Sequence, residues 1–324
     1  MASRLQILLV VPLLFSVEHA MAAAASEGAY LFSSFRGNGQ DGLHLAYSRD
    51  GYKWTALNND KPYLAPRIGE KEKLMRDPCI LQGPDGAFHM VWTTGWQDKK
   101  GIGYANSKDL IHWSDQKAIP LMAHEPTARN CWAPELFYDD AKKQFLIFWS
   151  TTIPGRFPET DPSGDNGLNH RIYYVTTKDF QTFSDTKLFF DGGFNVIDAT
   201  ILKANGKYHL IVKDETKTPV KKNLRIATSD YPEGPYTNVS EPFTISWVEG
   251  PSAIKIGDEY FIYFDHYARP QFYGAVRSKN LKTWEDVSKE MSFPKDTRHG
   301  TVIRVSDDVL KRLLDQSNSP NRQE

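Results

Sequence analysis

One short element recurs five times along this chain, and it constrains the fold more than any other feature. An apolar stretch is followed by Ser or Thr, then Asp or Asn, then an aromatic. The copies are LAYSRDGYKW (45–54), GYANSKDLIHW (103–113), YYVTTKDFQTF (173–183), RIATSDYPEGPY (225–236) and GAVRSKNLKTW (274–284). Four keep one spacing, six residues from Ser48 to Trp54, Ser107 to Trp113, Thr177 to Phe183 and Ser278 to Trp284, while the fourth in chain order is looser. The terminal aromatics lie 59, 70, 53 and 48 residues apart.

Alternating apolar segments precede each later copy: AFHMVWTTG (87–95), QFLIFWSTT (144–152), KYHLIVKDE (207–215) and EYFIYFDHY (259–267). Turn residues such as Asn205-Gly206 and Gly257-Asp258 separate them,. Units of this length, each with four short antiparallel strands, are the blades of a β-propeller. The first strand of four units reads RDPCIL (76–81), WAPELF (132–137), VIDATIL (196–202) and EGPSAIK (249–255). The earliest unit lacks one, and HGTVIRV (299–305) is left over. The expectation is an all-β, five-bladed propeller in which the C-terminal strand pairs into the N-terminal blade and removes the open edge. A long β-sandwich or a pair of domains is the competing arrangement. Helical periodicity is confined to DDVLKRLLDQ (307–316).

In a propeller the innermost strands line a central channel, and polar residues at one end converge. That gives Asp198 a place inside the otherwise apolar VIDATIL, since a buried charge is costly unless paired, hydrated or used. Asp77 and Glu249 hold similar places. Three convergent carboxylates cannot all ionise cheaply, so one is expected to carry a proton while another stays charged. Glycosidic hydrolysis uses such a pair. Taken singly, Asp77-Pro78 and Glu249-Gly250-Pro251 read more readily as turn residues; together, on strands that begin blades, they point to function.

Arg76-Asp77-Pro78, Trp132-Ala133-Pro134-Glu135, Ile197-Asp198-Ala199, Glu249-Gly250-Pro251 and Arg298-His299-Gly300-Thr301 resemble, in order and spacing, the landmarks of family 43 glycoside hydrolases. The resemblance spans about residues 28 to 305 and implies a five-bladed propeller. It also implies an inverting, exo-acting enzyme on arabinofuranosyl, galactofuranosyl or xylosyl residues. Carried over, Asp77 matches the base that activates water, Glu249 the acid that protonates the leaving oxygen, and Asp198 the aspartate that tunes that acid. Inversion sets base and acid roughly 6.5–9.5 Å apart. His299 matches a channel histidine that in many members sits beside a metal. The chemistry requires no cofactor, and a structural calcium held by His299 through water is the one the resemblance allows. About fifty residues of the expected mature chain precede Asp77, more than is usual in the family, which leaves the sugar open.

Trp96, Trp132 and Trp247 are expected as sugar platforms or as blade packing. Glu135 is expected to bind hydroxyls or to orient Arg76 or Arg298. Arg298 and Arg269 are candidate hydroxyl donors, and His266 reads as structural. The long polar segment 154–170 is either a specificity loop at the mouth or a surface excursion. Cys79 and Cys131 are expected as buried free thiols rather than a bridge.

The formal net charge of -1 gives no support to nucleic acid or an anionic membrane as partner,. The partner expected is an oligo- or polysaccharide. Arg4, the apolar run Leu5 to Phe15 and the small residues after it read as a secretory signal over 1–25,. The expectation is thus a secreted or periplasmic catalytic domain over 26–316, with a disordered tail over 317–324. Two alternatives stand beside it. A fructan-active retaining propeller would need a nucleophile ahead of the Arg-Asp-Pro motif, where Asp41 and Asp50 sit in turn-like sequence. A non-catalytic carbohydrate-binding propeller would not need all three acids.

Overall fold

The computed structural model describes residues 28–317; the signal segment expected over 1–25 and most of the tail expected over 317–324 lie outside them. Among the described residues nineteen strands form five sheets around a central channel, a five-bladed β-propeller. The N-terminal blade holds β1 (Ala29–Ser34), β2 (His44–Ser48) and β3 (Thr55–Ala56). The next holds β4 (Arg76–Gln82), β5 (Phe88–Thr93), β6 (Ile102–Ser107) and β7 (Lys117–Ile119). The third holds β8 (Trp132–Asp139), β9 (Gln144–Thr152), β10 (His170–Thr177) and β11 (Lys187–Phe190). The fourth holds β12 (Val196–Ala204), β13 (Lys207–Asp214) and β14 (Asn223–Ser229). The fifth holds β15 (Val248–Ile256), β16 (Glu259–His266), β17 (Phe272–Ser278) and β18 (Glu285–Asp286).

The last strand, β19 (Val302–Val305), runs antiparallel beside β1, with Ala29 opposite Val305 and Phe32 opposite Val302. It is shorter than the 299–305 expected, because the chain bulges at His299-Gly300 before pairing resumes at Phe35 opposite Arg298. A side chain at position 300 would fall 1.7 Å from the Ser33 carbonyl oxygen, so the close approach there requires glycine,. Helix α1 (Asp307–Ser317) follows and buries Val309, Leu310 and Leu313 against the N-terminal blade.

The repeated element is a turn at the end of each third strand. In the first copy Ser48 Oγ accepts from the Gly51 N–H, and Asp50 Oδ1 accepts from the Tyr52 and Lys53 N–H groups, all at 2.8 Å. Ser107 with Asp109, Thr177 with Asp179 and Ser278 with Asn280 repeat the pattern. The side chains thus replace the strand hydrogen bonds that end there. The fourth blade departs from the expected four strands. Pro232 and Pro235 remove two donors from its outer segment,. That edge pairs with β14 at the bridge Thr228 to Thr237, and beyond it the Ser240 and Phe243 N–H groups donate to the Ile226 and Leu224 carbonyls.

Apolar side chains from facing blades fill the space between sheets. Ile147 and Trp149 of β9 meet Cys79 and Val91 of the preceding blade, for example. Cys79 and Cys131 are both free thiols in that layer.

Candidate active site

Each innermost strand carries one irregularity at the same end. The ladder slips between Arg76 and Cys79, Trp132 and Glu135, Ile197 and Ala199, and Glu249 and Ser252. At these bulges Asp77, Ala133, Asp198 and Gly250 take φ of 52°, 47°, 52° and 59°. A side chain in this left-handed region costs roughly 1–2 kcal/mol and is re-aimed by the bulge. Asp77 and Asp198 are therefore equivalent positions on two blades. Glu249 is not their equivalent: it stands one residue before its bulge, and Gly250 occupies the matching position.

The three acids line one cleft of about 430 Å³ at the mouth of the channel. Trp96, Trp132, Trp247, Arg76, Arg298, His299 and His170 share its wall. Trp96 is 43% exposed; it receives the Arg76 guanidinium on its face at 4.2 Å and meets Trp132 edge-on at 5.3 Å. Trp247 lies edge-on to Tyr267. His170 is buried beside Trp132, and neither ring nitrogen has a protein partner. Burial drives its pKa down to about 4, so its ring is neutral at pH 7.

Asp77 Oδ1 lies 3.3 Å from His299 Nδ1, and Asp77 Oδ2 accepts from Thr93 Oγ1 at 2.7 Å. Burial alone would raise this carboxyl. The His299 charge and hydrogen bond, Arg76 and Thr93 outweigh burial and hold it at about 2,. Asp198 goes the other way. It is buried, 3.9 Å from His299 Nδ1, and its Oδ2 accepts from the Gly250 N–H at 3.0 Å. Burial, helped by the charges of Glu249 and Asp77 and opposed by His299 and Lys213, lifts it to about 6. His299 itself is buried, which disfavours its charge, yet Asp77, Asp198 and Glu249 raise it to about 9.

Glu249 is held by cations on both oxygens. Lys213 Nζ lies 3.2 Å from Oε2, and Arg298 Nη2 lies 3.1 Å from Oε1. Lys213 also lies 2.7 Å from Glu215 Oε2, and Arg298 Nε also binds Asp265. Glu215 binds Lys222 in turn, and Lys222 reaches Asp165 at 2.9 Å. Asp165, Asn166 and Leu168 line the cleft, so the segment 154–170 does reach the mouth.

The partner positions on the second strands form a repeat of their own. Thr93, Ser150, Lys213 and Asp265 sit opposite Arg76, Trp132, Ile197 and Glu249. Each reaches the next blade boundary: Thr93 Oγ1 accepts from the Ala133 N–H, Ser150 Oγ accepts from the Asp198 N–H, Lys213 binds Glu249 and Asp265 binds Arg298. Sequence reasoning missed these residues. The signal was there: each apolar second strand ends in a polar residue.

Two expectations need correction. Glu135 does not line the cleft. The bulge at Ala133 turns it down the channel, where it is buried and accepts from Thr200 Oγ1 at 3.2 Å and Thr301 Oγ1 at 3.0 Å. It binds neither Arg76, which donates to Asn38, nor Arg298. Arg269 lines a neighbouring groove on the fifth blade instead of this cleft. His299 Nδ1 faces two carboxylates, Asp77 at 3.3 Å and Asp198 at 3.9 Å. No group of three or more His, Cys, Asp or Glu among the described residues has a metal-holding arrangement.

A five-bladed propeller with three carboxylates at its mouth brings together the paired acids that glycoside hydrolysis uses, though the fold alone does not fix a function. The family model described as "Probable glycosyl hydrolase domain", related to glycosyl hydrolase family 43, matches residues 26–310, and the chain belongs to that family. An alpha-L-arabinofuranosidase from Bifidobacterium longum is 22% identical over 73% of this chain, which spans 29% of that relative's length. Among solved structures, an alpha-L-arabinofuranosidase from Lactobacillus brevis shares the fold with TM-score 0.50 at 18% identity, over 65% of this chain and 72% of that one. An exo-beta-1,3-galactanase from Phanerochaete chrysosporium gives TM-score 0.52 at 14% identity, over 69% of this chain and 52% of that one.

Proposed function

We propose that this cleft hydrolyses glycosidic bonds with inversion, releasing single furanosyl or xylosyl residues, with α-L-arabinofuranosides first among the candidates. The observation that carries the reading is geometric: Asp77, Asp198 and Glu249 line one cleft, with Asp77 3.3 Å from His299 and Asp198 bonded to the Gly250 N–H beside Glu249, and the surroundings lower the Asp77 pKa while raising that of Asp198. Asp77, charged over the whole working range, is the base that takes a proton from water. Glu249, on the next blade from Asp198, is the acid that protonates the leaving oxygen. Asp198 fixes the strand carrying Glu249 through the Gly250 N–H and tunes its proton. Both Glu249 oxygens hold cations in the free cleft, so substrate binding must loosen at least one of them. The exposed face of Trp96 and the neutral ring of His170 supply stacking and hydroxyl contacts.

The sugar rests on the arabinofuranosidase relatives together with the landmark residues. Export rests on the apolar run near the N-terminus. The test is release of p-nitrophenol from arabinofuranosides, galactofuranosides and xylosides by the wild type and Glu249→Gln. Turnover of one furanoside, lowered ~10²–10⁴-fold in the variant on a natural oligosaccharide, is expected. Undiminished turnover in the variant removes Glu249 from the role of acid. Retention of anomeric configuration, read by proton NMR of the first product, refutes inversion.

A further inference from the structure

Lys213 and Arg298 present a difficulty for any acid at position 249. A carboxylate held by two cations gains from being charged, yet an acid must take up a proton before each turnover. Once it does, two cations in the cleft wall lose a counter-ion. Lys213 is only 2% exposed, and burying an unpaired ammonium is costly,.

Both cations are shared, and the sharing resolves the difficulty. Lys213 lies between Glu249 and Glu215, and the face of Tyr267 covers it at 4.5 Å. Arg298 lies between Glu249 and the fully buried Asp265. Burial works against the Lys213 charge, but Glu215 and Glu249 outweigh burial and hold its pKa well above the ordinary value. Burial and the Glu249 charge push Asp265 up, against Arg298. The remaining charged groups near Glu249 are Asp198 on β12 and His299 before β19.

We propose that Glu215 and Asp265 are positioning residues for the acid: each retains one cation when Glu249 takes its proton, so that protonation leaves no buried charge unpaired. The proposal rests on Glu249 being the acid. Lys222 and Asp165 extend the same alternation of charges to the segment 154–170, which ties the loop at the mouth to the acid.

The test uses Glu215→Gln and Asp265→Asn, isosteric changes that remove one counter-charge each, with folding checked by far-ultraviolet circular dichroism. With Glu215 neutral, Lys213 has only Glu249 as its carboxylate, and Glu249 holds its charge more tightly. The alkaline limb of the pH profile of kcat/KM should move down by about one unit, a tenfold loss of the protonated acid at a given pH. Glycosides with poor leaving groups should lose more than nitrophenyl glycosides, and Lys213→Met should restore part of the loss in the Glu215→Gln background. Carbon-13 NMR titration of the Glu249 carboxyl, assigned by its absence in Glu249→Gln, reads the same displacement without turnover. If Glu249 titrates at the wild-type pH in both folded variants, the proposal is overturned. A wild type inactive on every glycoside refutes the functional reading, and the titration still decides the charge balance.

Discussion

The carboxylate of Asp198 accepts a 3.0 Å hydrogen bond from the backbone N–H of Gly250, the residue that follows Glu249. One blade's acid thereby sets the backbone that carries the next blade's acid. Gly250 is confined from two sides, by its φ of 59° and by the His299 ring, which a Cβ would meet at 2.4 Å. Gly257 has the same φ with nothing near the same point. Gly257→Ala should therefore cost only the left-handed backbone term, about 1–2 kcal/mol. Gly250→Ala should cost about 1–3 kcal/mol more, through displacement of His299, and should abolish most turnover. Urea denaturation of the two variants checks this; equal losses would mean that His299 is free to move aside.

The imidazolium of His299 makes stability depend on pH in a definite direction. Its folded pKa is raised, to about 9 from 6.5. The native state therefore binds the proton more tightly than the unfolded chain. The contribution is complete below pH 6.5 and is lost as pH rises through 9, on the order of 1–3 kcal/mol. Thermal melts of the wild type should fall between these pH values. Melts of His299→Gln should be lower at pH 6 and flatter across the same window.

Glu135 adds a second term of the same sign at lower pH. Burial raises its carboxyl to about 7, with His299, Thr301 and Thr200 opposing. A raised acid is cheapest in the fold while protonated, so its cost appears as pH rises from 4.5 through 7. Glu135→Gln keeps the shape and removes the ionisation. Its melting temperature should gain on the wild type by pH 8 relative to pH 5, while kcat changes little because Glu135 lies below the cleft. A large fall in kcat would place Glu135 in the machinery after all.

The propeller was legible because its turns repeat in sequence: side chains replace strand hydrogen bonds at four of the five third-strand ends, so Ser or Thr and Asp or Asn recur there at fixed offsets. Asp77 and Asp198 were legible because a charge within an apolar strand needs a reason. The inequivalence of Glu249 was not, since a bulge displaces the side-chain register by one without leaving a mark in composition. Lys213 could have been found by the logic applied to Asp198, for it ends the apolar run LIVK in the same way. Glu135 misled because its strand, its end of that strand and its charge were all right; only the bulge at Ala133 decides that it faces down the channel.

Thr93 offers the sharpest separation of packing from function. Its hydroxyl donates to Asp77 Oδ2 at 2.7 Å and accepts from the Ala133 N–H at 2.8 Å, and the side chain is buried. One oxygen therefore orients the proposed base and satisfies the bulge of the neighbouring blade. Thr93→Val keeps the β-branched shape and removes both bonds. The Ala133 N–H is then left unpaired in the interior, at about 1–3 kcal/mol. Asp77 loses one of the contacts that hold its charge, so the acid limb of the rate profile should move upward, with kcat lowered and KM nearly constant. Thr93→Ser keeps the hydroxyl and should recover the acid limb while still losing a methyl group of packing. If valine and serine variants share one rate profile, Thr93 serves the blade boundary and not the base.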